Sequence, residues 1–487
     1  MLLSNIIGKY PTINFNGDRY IEITGIEHNS NRIKSGNLFI AQKGYNHDGH
    51  NYIDDAIRNG ASVIVKSKDV HTKINATTID VIDTTDALGY FSAKYYHQPW
   101  TNMNTIGITG TNGKTTTSYI IKNILEKRNE KVGIIGTMGV LVDNEILKTP
   151  NTTPDSLEIQ KNLNIMIEKN IESCIMEVSS HALEMKRVKY MDFDIGIFTN
   201  LSREHLDYHK DMENYFKSKL KLFLKTNRIN VINTDDPYGR RIINLIGKRV
   251  DTITYGIRDK ADVCAYDIIY DESKPRFLLK TPKGDKYIQL KIPGEFNIYN
   301  ALAAAACCYG LGIDINIIKE GLESFNGVKG RFELIESNKD FNIIIDFAHT
   351  PDGIKEALKA VDKFTKGRKI IVFGAGGDRD KSKRPEMGKI AGQYSDFVIV
   401  TSDNPRNEDP QEIAEDIVKG LKQTNTDYKV ILDRKEAINY AIINSVCNDT
   451  ILITGKGHED SIIMNGRQIP FDEKKIVLDI LDKIKIL

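Results

Sequence analysis

The sequence predicts an α/β protein of three domains: a small N-terminal α/β domain, a central domain with a mostly parallel sheet, and a C-terminal Rossmann-like doubly wound sheet. The chain has 487 residues, about three times the ~150 residues of a typical domain. Short apolar runs without polar alternation recur between helical patterns, which is typical of parallel strands buried on both faces. This alternation stops near residue 330 and then begins again, so we place the domains at 1–102, 103–330 and 331–487.

The composition is that of a folded chain with balanced charge. Hydrophobic residues make up 40% and charged residues 27%, with 67 basic side chains against 66 acidic ones and a net charge of +1. Ample apolar content at so low a net charge excludes disorder for most of the chain. A net charge so close to zero provides no positive electrostatic field of the kind that nucleic-acid-binding proteins use, so we expect no nucleic-acid partner.

The cysteines and the apolar segments indicate the compartment. The five cysteines are odd in number and show no CxxC spacing, which argues against a disulfide framework or a structural zinc site. Residues 1–13 lack the basic start of a signal peptide, and the alanine-rich stretch 296–313 contains polar residues that suit a packed helix better than a membrane span. We expect a cytoplasmic protein without membrane insertion, and we expect a monomer.

Apolar, β-branched runs predict the strands, and apolar periodicity of 3.6 residues predicts the helices. In the N-terminal domain we predict strands at 20–24, 37–41 and 61–65, a helix at 52–58 and a linker at 98–100. In the central domain we predict a helix at 115–127 and strands at 105–109, 131–135, 173–178, 195–199 and 229–233. In the C-terminal domain we predict strands at 341–347, 369–373, 397–401, 429–432 and 451–454, with helices beginning near 352, 383, 410 and 435.

A glycine-rich turn follows the first central strand and opens a helix, with the sequence GTNGKTT over residues 110–116. Backbone N–H groups of such a turn, the helix N-terminus and one lysine bind nucleotide phosphates, while a threonine hydroxyl reaches Mg²⁺. The spacing departs from the strict Walker pattern, because Ile108 stands where the first glycine is expected. We predict a P-loop ATPase-type sheet that binds ATP and magnesium, with an incidental glycine turn as the alternative.

Polar residues follow two other central strands. Glu177 ends a buried strand, where a carboxylate beside a phosphate-binding turn serves as a Mg²⁺ ligand, although a capped helix start explains the serines after it equally well. His205 lies in segment 200–209, which holds two of the ten histidines together with two carboxylates. Metal or phosphate contact and a plain polar turn are alternatives there, and a dedicated transition-metal site is poorly supported.

Lys219 lies on the apolar face of a predicted helix. At 100° per residue, Tyr215 and Phe223 share its face, whereas Lys217 and Lys221 lie on the opposite side. Such a lysine either extends its amine to solvent or needs a partner or a covalent modification, because burying an unpaired ammonium is costly.

The end of the central domain carries further polar groups. Asn297 and Asn300 are three residues apart on a predicted helix and can face one ligand, although Asn297 as an N-cap is an alternative. Arg331 lies at the domain junction, where a guanidinium can reach phosphate charge on a neighbouring domain. Asp346 ends the strand that follows.

Three loops follow strands of the C-terminal sheet, at the edge where such sheets bind ligands. They contain Arg379, the sequence DNPR over residues 403–406, and the sequence GKGHE over residues 455–459. Two arginines, acids and amides suit a zwitterionic amino acid, because guanidinium binds carboxylate while Glu459 or Asp403 accepts the ammonium. Salt-bridged surface loops are the alternative.

In order and across the whole chain, these motifs resemble the Mur ligase superfamily of ATP-dependent amide-bond-forming enzymes, from GNLF at 36–39 and Asp48-Gly49 to the 455–459 loop. The match is close to the branch that adds the third peptide residue in peptidoglycan precursor synthesis. The resemblance implies that the N-terminal domain holds a uridine nucleotide, the central domain ATP and the C-terminal domain an amino acid. The implied substrates are a UDP-N-acetylmuramoyl dipeptide and meso-diaminopimelate, with ATP and Mg²⁺.

The resemblance also assigns roles to individual residues of this chain. It implies catalytic roles for Lys114, Glu177, His205, Lys219 and Arg331, and magnesium ligation by Thr115, Glu177, His205 and a carbamylated Lys219. It implies ATP contacts for Gly110, Thr111, Asn112, Gly113, Lys114, Thr115, Thr116, Asn297, Asn300, Arg331 and Asp346. It implies contacts to the UDP substrate for Ser30, Thr152, Thr153, Ser179 and Arg187, and an amino-acid pocket of Arg379, Asp403, Asn404, Pro405, Arg406, Gly455 and Glu459.

Two positions bear on the substrates. Arg406 in the DNPR sequence implies meso-diaminopimelate, because by the resemblance it binds the distal carboxylate that lysine lacks. The family's Asp-Ser-Arg near the N-terminus reads Asn29-Ser30-Asn31 here, so the charged neighbours of Ser30 are missing.

The implied chemistry is activation of a carboxylate as an acyl phosphate, followed by attack of an amine. The same reaction with L-lysine is one alternative, and a folylpolyglutamate synthase-like ligase that adds glutamate is another. A P-loop NTPase that acts as a switch is an alternative from a different functional class. That hypothesis leaves Lys219 and the arginine-containing loops of the C-terminal sheet unexplained.

Overall fold

The computed structural model describes residues 1–44, 47–68, 75–271, 274–337 and 339–484. The N-terminal elements are α1 (Leu3–Ile7), β1 (Asn14–Asn16), β2 (Gly25–Glu27), β3 (Asn37–Ile40), α2 (Ile53–Arg58), β4 (Ala61–Lys66), β5 (Thr77–Asp80) and α3 (Thr84–Tyr95). They form a sheet in the order β1-β5-β4-β3-β2, in which β2 to β5 are parallel and β1 is antiparallel. A short 3₁₀ turn at Pro99–Asn102 leads into the next domain.

One N-terminal strand prediction was wrong. Segment 20–24 is not a strand of this sheet; β2 begins at Gly25 instead. The backbone of the segment bonds to the chain start, because Leu3 N donates to Ile21 O and Ile23 N donates to Met1 O. The predicted strands at 37–41 and 61–65 and the helix at 52–58 are confirmed within a residue.

The central elements begin with β6 (Asn104–Thr109), α4 (Lys114–Glu126), β7 (Val132–Gly136), β8 (Gly139–Val142), β9 (Glu145–Leu147), α5 (Ser156–Glu168), β10 (Ser173–Glu177), α6 (Ser180–Glu184) and β11 (Phe193–Phe198). They continue with α7 (Leu206–His209), α8 (Met212–Phe223), β12 (Thr226–Asn233), α9 (Pro237–Ile246), β13 (Asp251–Gly256), β14 (Val263–Asp271), β15 (Lys274–Thr281), β16 (Gly284–Gln289), α10 (Glu295–Gly310) and α11 (Ile315–Ser324).

The central strands join in one sheet, in the order β16-β15-β14-β13-β12-β11-β6-β10-β7-β8-β9. The run from β7 to β14 is parallel, whereas β8 and β9 at one edge and β15 and β16 at the other are antiparallel. The predicted mostly parallel sheet is confirmed, with antiparallel edges that the apolar runs did not indicate. Since parallel strands end at one edge, the residues after β6, β10 and β11 lie close together.

The C-terminal elements are β17 (Glu333–Ile335), β18 (Asn342–Asp346), α12 (Pro351–Asp362), β19 (Lys369–Phe373), α13 (Lys383–Tyr394), β20 (Phe397–Val400), α14 (Pro410–Leu421), β21 (Asp427–Val430), α15 (Arg434–Ile443), β22 (Thr450–Thr454), β23 (Ser461–Met464), β24 (Arg467–Pro470) and α16 (Glu473–Ile484). The sheet order is β17-β18-β22-β19-β20-β21, parallel except for β17, and β23 pairs with β24 in a separate hairpin. The three-domain α/β fold class is confirmed.

Apolar layers on both faces of each main sheet form the cores. On one face of the central sheet lies the alanine-rich helix α10, whose alanines from Ala301 to Ala306 are fully buried. Small side chains let this helix approach the strands closely, so the stretch is a packed helix as predicted. None of the described helices is long and apolar enough to cross a membrane.

Candidate active site

The turn after β6 wraps tightly around backbone and amide groups. Gly113 has φ of 88°, and a Cβ there would collide with Oδ1 of Asn300. A Cβ at Gly110 would collide with Oγ1 of Thr199. Both positions therefore require glycine, and the turn presents its backbone at the N-terminus of α4, as a phosphate cradle does.

Two lysines converge on one backbone carbonyl of this turn. Nζ of Lys114 donates to the carbonyl oxygens of Gly110 and Thr111, each at 2.8 Å. Nζ of Lys219 donates to the same Gly110 oxygen at 2.8 Å and lies 4.6 Å from the centre of the Tyr215 ring. The Lys219 side chain is 1% exposed, so it does not extend its amine to solvent.

The environment disfavours positive charge on both lysines. Burial lowers the pKa of Lys219 well below its ordinary value, and the nearby Lys114 charge lowers it further. Burial also lowers the pKa of Lys114. Two crowded ammonium groups beside a glycine turn form a site that an anionic ligand would stabilise.

Glu177 lies at the end of β10 and is fully buried. Its Oε2 accepts hydrogen bonds from the hydroxyls of Thr115 and Thr137, each at 2.9 Å, and its Oε1 accepts from Thr137 N at 3.0 Å. Thr137 was missed from the sequence, because a lone threonine after a strand carries no chemical signal.

These oxygens fit Mg²⁺ in their chemistry. Within the described ranges, no group of three or more His, Cys, Asp and Glu side chains could hold a metal ion. Mg²⁺ does not require such a group, because it keeps several waters and binds one or two carboxylates together with substrate phosphates. The Thr115 hydroxyl and the Glu177 carboxylate supply that kind of donor set beside the phosphate cradle.

His205 lies after β11 and faces the same turn. It has φ of 57°, and its Nε2 lies 3.5 Å from Oε2 of Glu204. Burial lowers the pKa of His205 to about 4, with the charges of His181, Lys114 and Lys219 acting in the same direction. The imidazole is therefore neutral near pH 7 and retains a free ring nitrogen for a metal or a hydrogen bond. Glu204, a second acid close to both lysines, was not singled out from the sequence.

The two asparagines of α10 hold each other against the glycine turn. Because the N-cap of α10 is Gly294, Asn297 lies in the first turn and the N-cap alternative was wrong. Asn300 Nδ2 donates to Asn297 Oδ1 at 3.0 Å, and Asn297 Nδ2 donates to Pro293 O at 2.7 Å. This chain of bonds fixes the Asn300 amide beside Gly113.

Arg331 and Asp346 bring the C-terminal domain to this cleft. The Arg331 guanidinium carbon lies 4.3 Å from the centre of the Phe347 ring, and its buried Nε has no hydrogen-bond partner among the described residues. The acidic charges that act on it come from Glu177 in the central domain and from Asp346 and Glu459 in the C-terminal domain. Burial raises the pKa of Asp346, whose carboxylate accepts bonds from Phe332 N and Ala348 N.

The residues predicted for the UDP substrate fall into two places. Thr153 Oγ1 donates to Glu177 O at 2.8 Å and to Ser179 Oγ at 3.2 Å, and Arg187 Nη1 donates to Thr153 O at 2.6 Å. Thr152 joins this group through the hydroxyl of Thr137 at 3.2 Å. Ser179 is also the N-cap of α6, so the capped helix start is correct as well.

Ser30 lies apart from these residues, in a 3₁₀ turn of the N-terminal domain. Its carbonyl oxygen accepts a bond from Asn59 Nδ2 at 2.9 Å. The neighbouring His28 reaches the central domain, where its Nε2 lies 3.4 Å from Oδ2 of Asp155. The N-terminal turn thus borders the Thr152–Asp155 loop.

The loops predicted to bind the amino acid form a polar network with a buried centre, and not only surface salt bridges. Asn404 is its centre: Nδ2 donates to Glu459 Oε2 at 2.8 Å, and Oδ1 accepts from Lys456 Nζ at 3.0 Å. Lys456 also donates to Glu459 at 2.9 Å and is fully buried. It was missed as a site residue, although it lies within the GKGHE sequence that was singled out.

The remaining pocket residues surround this network. Arg406 has φ of 53°, and its Nη1 donates to Gly377 O at 2.7 Å. A Cβ at Gly455 would collide with Oδ2 of Asp403, which is itself buried. Pro405 packs against Gly377, whereas Arg379 is exposed at the rim. Two guanidinium groups and two carboxylates therefore meet where three strands end.

Comparison with known proteins covers almost the whole chain. Residues 22–96 match the model "Mur ligase family, catalytic domain", residues 108–308 match "Mur ligase middle domain", and residues 330–457 match "Mur ligase, glutamate ligase domain". A UDP-N-acetylmuramoyl-L-alanyl-D-glutamate–2,6-diaminopimelate ligase of Caldanaerobacter subterraneus is 45% identical over 96% of both chains. The enzyme of that name from Clostridioides difficile is 43% identical over 99% of this chain and 100% of the relative.

A solved structure agrees with these matches. A ligase of the same name has a TM-score of 0.72 and 28% identity, covering 100% of this chain and 99% of that chain. The resemblance carried by the sequence motifs is therefore confirmed. The chain belongs to the Mur ligase family, whose members are ATP-dependent ligases.

Proposed function

We propose that this ligase forms the amide bond between meso-diaminopimelate and the terminal carboxylate of UDP-N-acetylmuramoyl-L-alanyl-D-glutamate, with hydrolysis of ATP to ADP and phosphate. The observation that supports it most directly is the convergence of Lys114, Lys219, Glu177 and Arg331 at one cleft. The charge of Glu459 also acts on Arg331, and Glu459 accepts a hydrogen bond from Asn404 of the predicted amino-acid pocket. The names of the relatives at 43–45% identity support the same substrates.

The chemistry follows from where charge develops. An oxygen of the substrate carboxylate attacks the γ-phosphorus of ATP, the bond to ADP breaks, and an acyl phosphate forms. The neutral amine of the amino acid then attacks the acyl carbon, phosphate leaves from the tetrahedral intermediate, and the attacking nitrogen loses a proton as the amide forms. Positioning and charge neutralisation account for most catalysis of phosphoryl transfer, and Lys114 and Arg331 supply that positive charge.

Thr115, Glu177 and His205 would hold Mg²⁺ in this proposal. When bound, Mg²⁺ supplies positive charge to the phosphates. Lys219 would join them as a carbamate, because its depressed basicity and its burial favour a neutral amine that reacts with carbon dioxide. A carbamate is an anionic oxygen ligand, and its formation would replace one of the two amines that crowd Gly110 O.

The N-terminal turn around Ser30 and the Thr152, Thr153, Ser179 and Arg187 group would hold the UDP substrate. The acceptors in the C-terminal pocket, Asp403 and Glu459, suit the ammonium groups of a diamine. Arg406 suits its distal carboxylate, and this charge pairing would select meso-diaminopimelate over L-lysine, since guanidinium–carboxylate pairs are strong and directional.

We also propose that the reaction takes place in the cytoplasm. The five cysteines of the chain are free, and four of them are buried, as expected for a protein in a reducing compartment. The phosphoryl donor ATP is made and used in that compartment.

Phosphate release tests the proposed reaction. The enzyme is incubated with ATP, Mg²⁺ and the UDP-muramoyl dipeptide, with meso-diaminopimelate present or omitted. We expect phosphate release to rise at least tenfold when the amino acid is present, because the acyl phosphate is protected from water until an amine attacks. Turnover that is indifferent to the amino acid would refute the ligase proposal and favour a nucleotide switch.

A further inference from the structure

Arg434 is a buried arginine in an unfavourable position. It begins α15, where the helix dipole opposes positive charge, and it is 2% exposed. Its guanidinium makes three bonds: Nε donates to Glu473 Oε1 at 2.6 Å, Nη1 to Ser402 O at 3.1 Å and Nη2 to Thr454 O at 2.7 Å. Three partners from three different segments therefore hold this charge in place.

The two carbonyl groups belong to the bases of the pocket loops. Ser402 immediately precedes Asp403, and Thr454 is the last residue of β22 and immediately precedes Gly455. Strands β20 and β22 are not neighbours, because β19 lies between them. The guanidinium thus spans the end of the intervening strand and fixes the spacing between two loops that would otherwise be independent.

Glu473 is the acidic partner of Arg434. Both side chains of the pair are fully buried, and Glu473 Oε2 lacks a hydrogen-bond partner in the described part of the chain. A buried ion pair of this kind adds little net stability, because removing both charges from water offsets their attraction. Stability alone therefore does not account for it.

The pair lies directly behind the pocket. A Cβ built on Gly455 would be 3.8 Å from Nη2 of Arg434 and would collide with Oδ2 of Asp403. Both Asp403 and Asn404 are buried at this base. Replacing the Arg434 guanidinium would therefore shift Asp403 and Gly455, which line the predicted amino-acid pocket.

We propose that Arg434, held by Glu473, is a positioning residue that fixes the spacing between the Asp403–Arg406 loop and the Gly455–Glu459 loop and so sets affinity for the amino acid. It does not touch substrate. The inference rests on the proposed function, because the ligand of these two loops is meso-diaminopimelate there.

The test is the double variant Arg434→Met/Glu473→Met, which replaces the pair with apolar side chains of similar length. We expect KM for meso-diaminopimelate to rise at least tenfold and KM for ATP to change less than twofold. The matched control is Arg368→Met. Arg368 also binds a buried carboxylate, Asp449, and a backbone carbonyl, Asn444 O, but at the opposite end of the same sheet. This control should lose stability and keep both KM values.

Two outcomes would overturn the inference: an unchanged KM for the amino acid in the double variant, or an equal rise in both KM values. Should the double variant fail to fold, the single variant Glu473→Gln tests the inference in its place. This variant keeps an acceptor for Arg434 Nε and removes only the negative charge of Glu473. We expect it to fold and to raise the amino-acid KM alone, by a smaller factor; loss of stability without that rise would contradict the inference. Wild-type enzyme without amino-acid-dependent turnover would refute the proposed function instead.

Discussion

Lys219 is buried in surroundings that disfavour a positive charge on its amine. Its amine is buried, shares an acceptor with another lysine, and lies over the Tyr215 ring. Unpaired buried ammonium is costly, and the low pKa makes the neutral amine accessible. The same residue was recognisable from the sequence, because a lysine on an apolar helix face conflicts with amphipathic patterning.

We therefore expect Lys219→Ala to lower kcat at least 100-fold, since it removes the anionic ligand that a carbamate would supply. Small carboxylates such as formate or acetate should restore part of the activity by occupying the vacated space. The measurement is steady-state phosphate release with and without the added acid. Lys217→Ala, an exposed lysine of the same helix, is the control and should be fully active; full activity of Lys219→Ala would make that residue a packing residue.

Arg406 is expected to decide which amino acid is used. Arg406→Ala should raise KM for meso-diaminopimelate about 10- to 100-fold, the range expected for a lost hydrogen bond to a charged group, and should leave KM for ATP unchanged. Arg467→Ala, on the exposed strand β24 nearby, serves as the control. An unchanged preference between diaminopimelate and lysine would show that Arg406 does not contact the distal carboxylate.

Sequence reasoning singled out candidate residues whose type conflicts with their surroundings, such as Lys219, and candidates within recognisable motifs, such as Asn404. It missed Thr137 and Lys456, whose importance depends on which side chains they bond. Those partners come from distant parts of the chain. Arg434 was missed for the same reason, since its three acceptors are visible only after the sheet is assembled.

At the scale of elements, the role of the glycine turn before α4 in ATP binding can be tested by comparing substitutions at two glycines. Gly113 and Gly312 both have left-handed φ, at 88° and 79°, but a Cβ at Gly312 would meet nothing within 4 Å. Gly113→Ala and Gly312→Ala should each lose roughly 1 kcal/mol of stability through strain. We expect only Gly113→Ala to raise KM for ATP, at least tenfold, because its methyl group displaces Asn300. Equal ATP affinity in both variants would place the nucleotide elsewhere.

The junction of α6, α7 and α8 should make stability depend on pH. His209 Nε2 lies 2.9 Å from Ser180 Oγ, and burial together with the charges of His181 and Lys219 lowers its pKa to about 4, below the ordinary 6.5. The folded state thus favours the neutral ring, so the unfolded state binds more protons between these values and stability falls as pH drops from 6.5 to 4.

His209→Gln keeps a hydrogen-bonding group and does not titrate. We expect the fall in Tm between pH 6.5 and pH 4.5 to be smaller in this variant by about 2–4 °C, measured by thermal unfolding across that range. His97→Gln, at an exposed histidine, should leave the pH dependence as in the wild type. An unaltered slope in His209→Gln would mean that the ring is already charged in the folded protein.

Most of the strands that could be predicted are those buried on both faces. Strands β6, β10 and β11 are buried along almost their whole length, so their apolar runs stood out. Strand β15 alternates buried and exposed residues and lies in the antiparallel edge that the apolar runs did not indicate. The segment 20–24 is β-branched in composition, yet its pairing with the chain start is a tertiary contact that composition does not contain.

At the scale of the whole molecule, the candidate residues come from all three predicted domains, so the proposed reaction would require the three together. The N-terminal domain contacts the central one through Lys186–Asp83 at 2.6 Å and Lys161–Glu27 at 2.6 Å. The C-terminal domain contacts it through Lys363–Glu295 at 2.5 Å and Lys148–Asp460 at 2.5 Å. Partly exposed pairs of this kind contribute only about 0–1 kcal/mol each, and ring contacts such as Tyr90–Tyr190 and Phe296–Phe332 join the same domains.

The most direct test of the account is the mass of the product formed when the enzyme receives ATP, Mg²⁺, the UDP-muramoyl dipeptide and equimolar meso-diaminopimelate and L-lysine. We predict one new species, heavier than the dipeptide substrate by a diaminopimelyl residue. A lysyl product would contradict the assignment of Arg406, and the absence of any new amide would contradict the account as a whole.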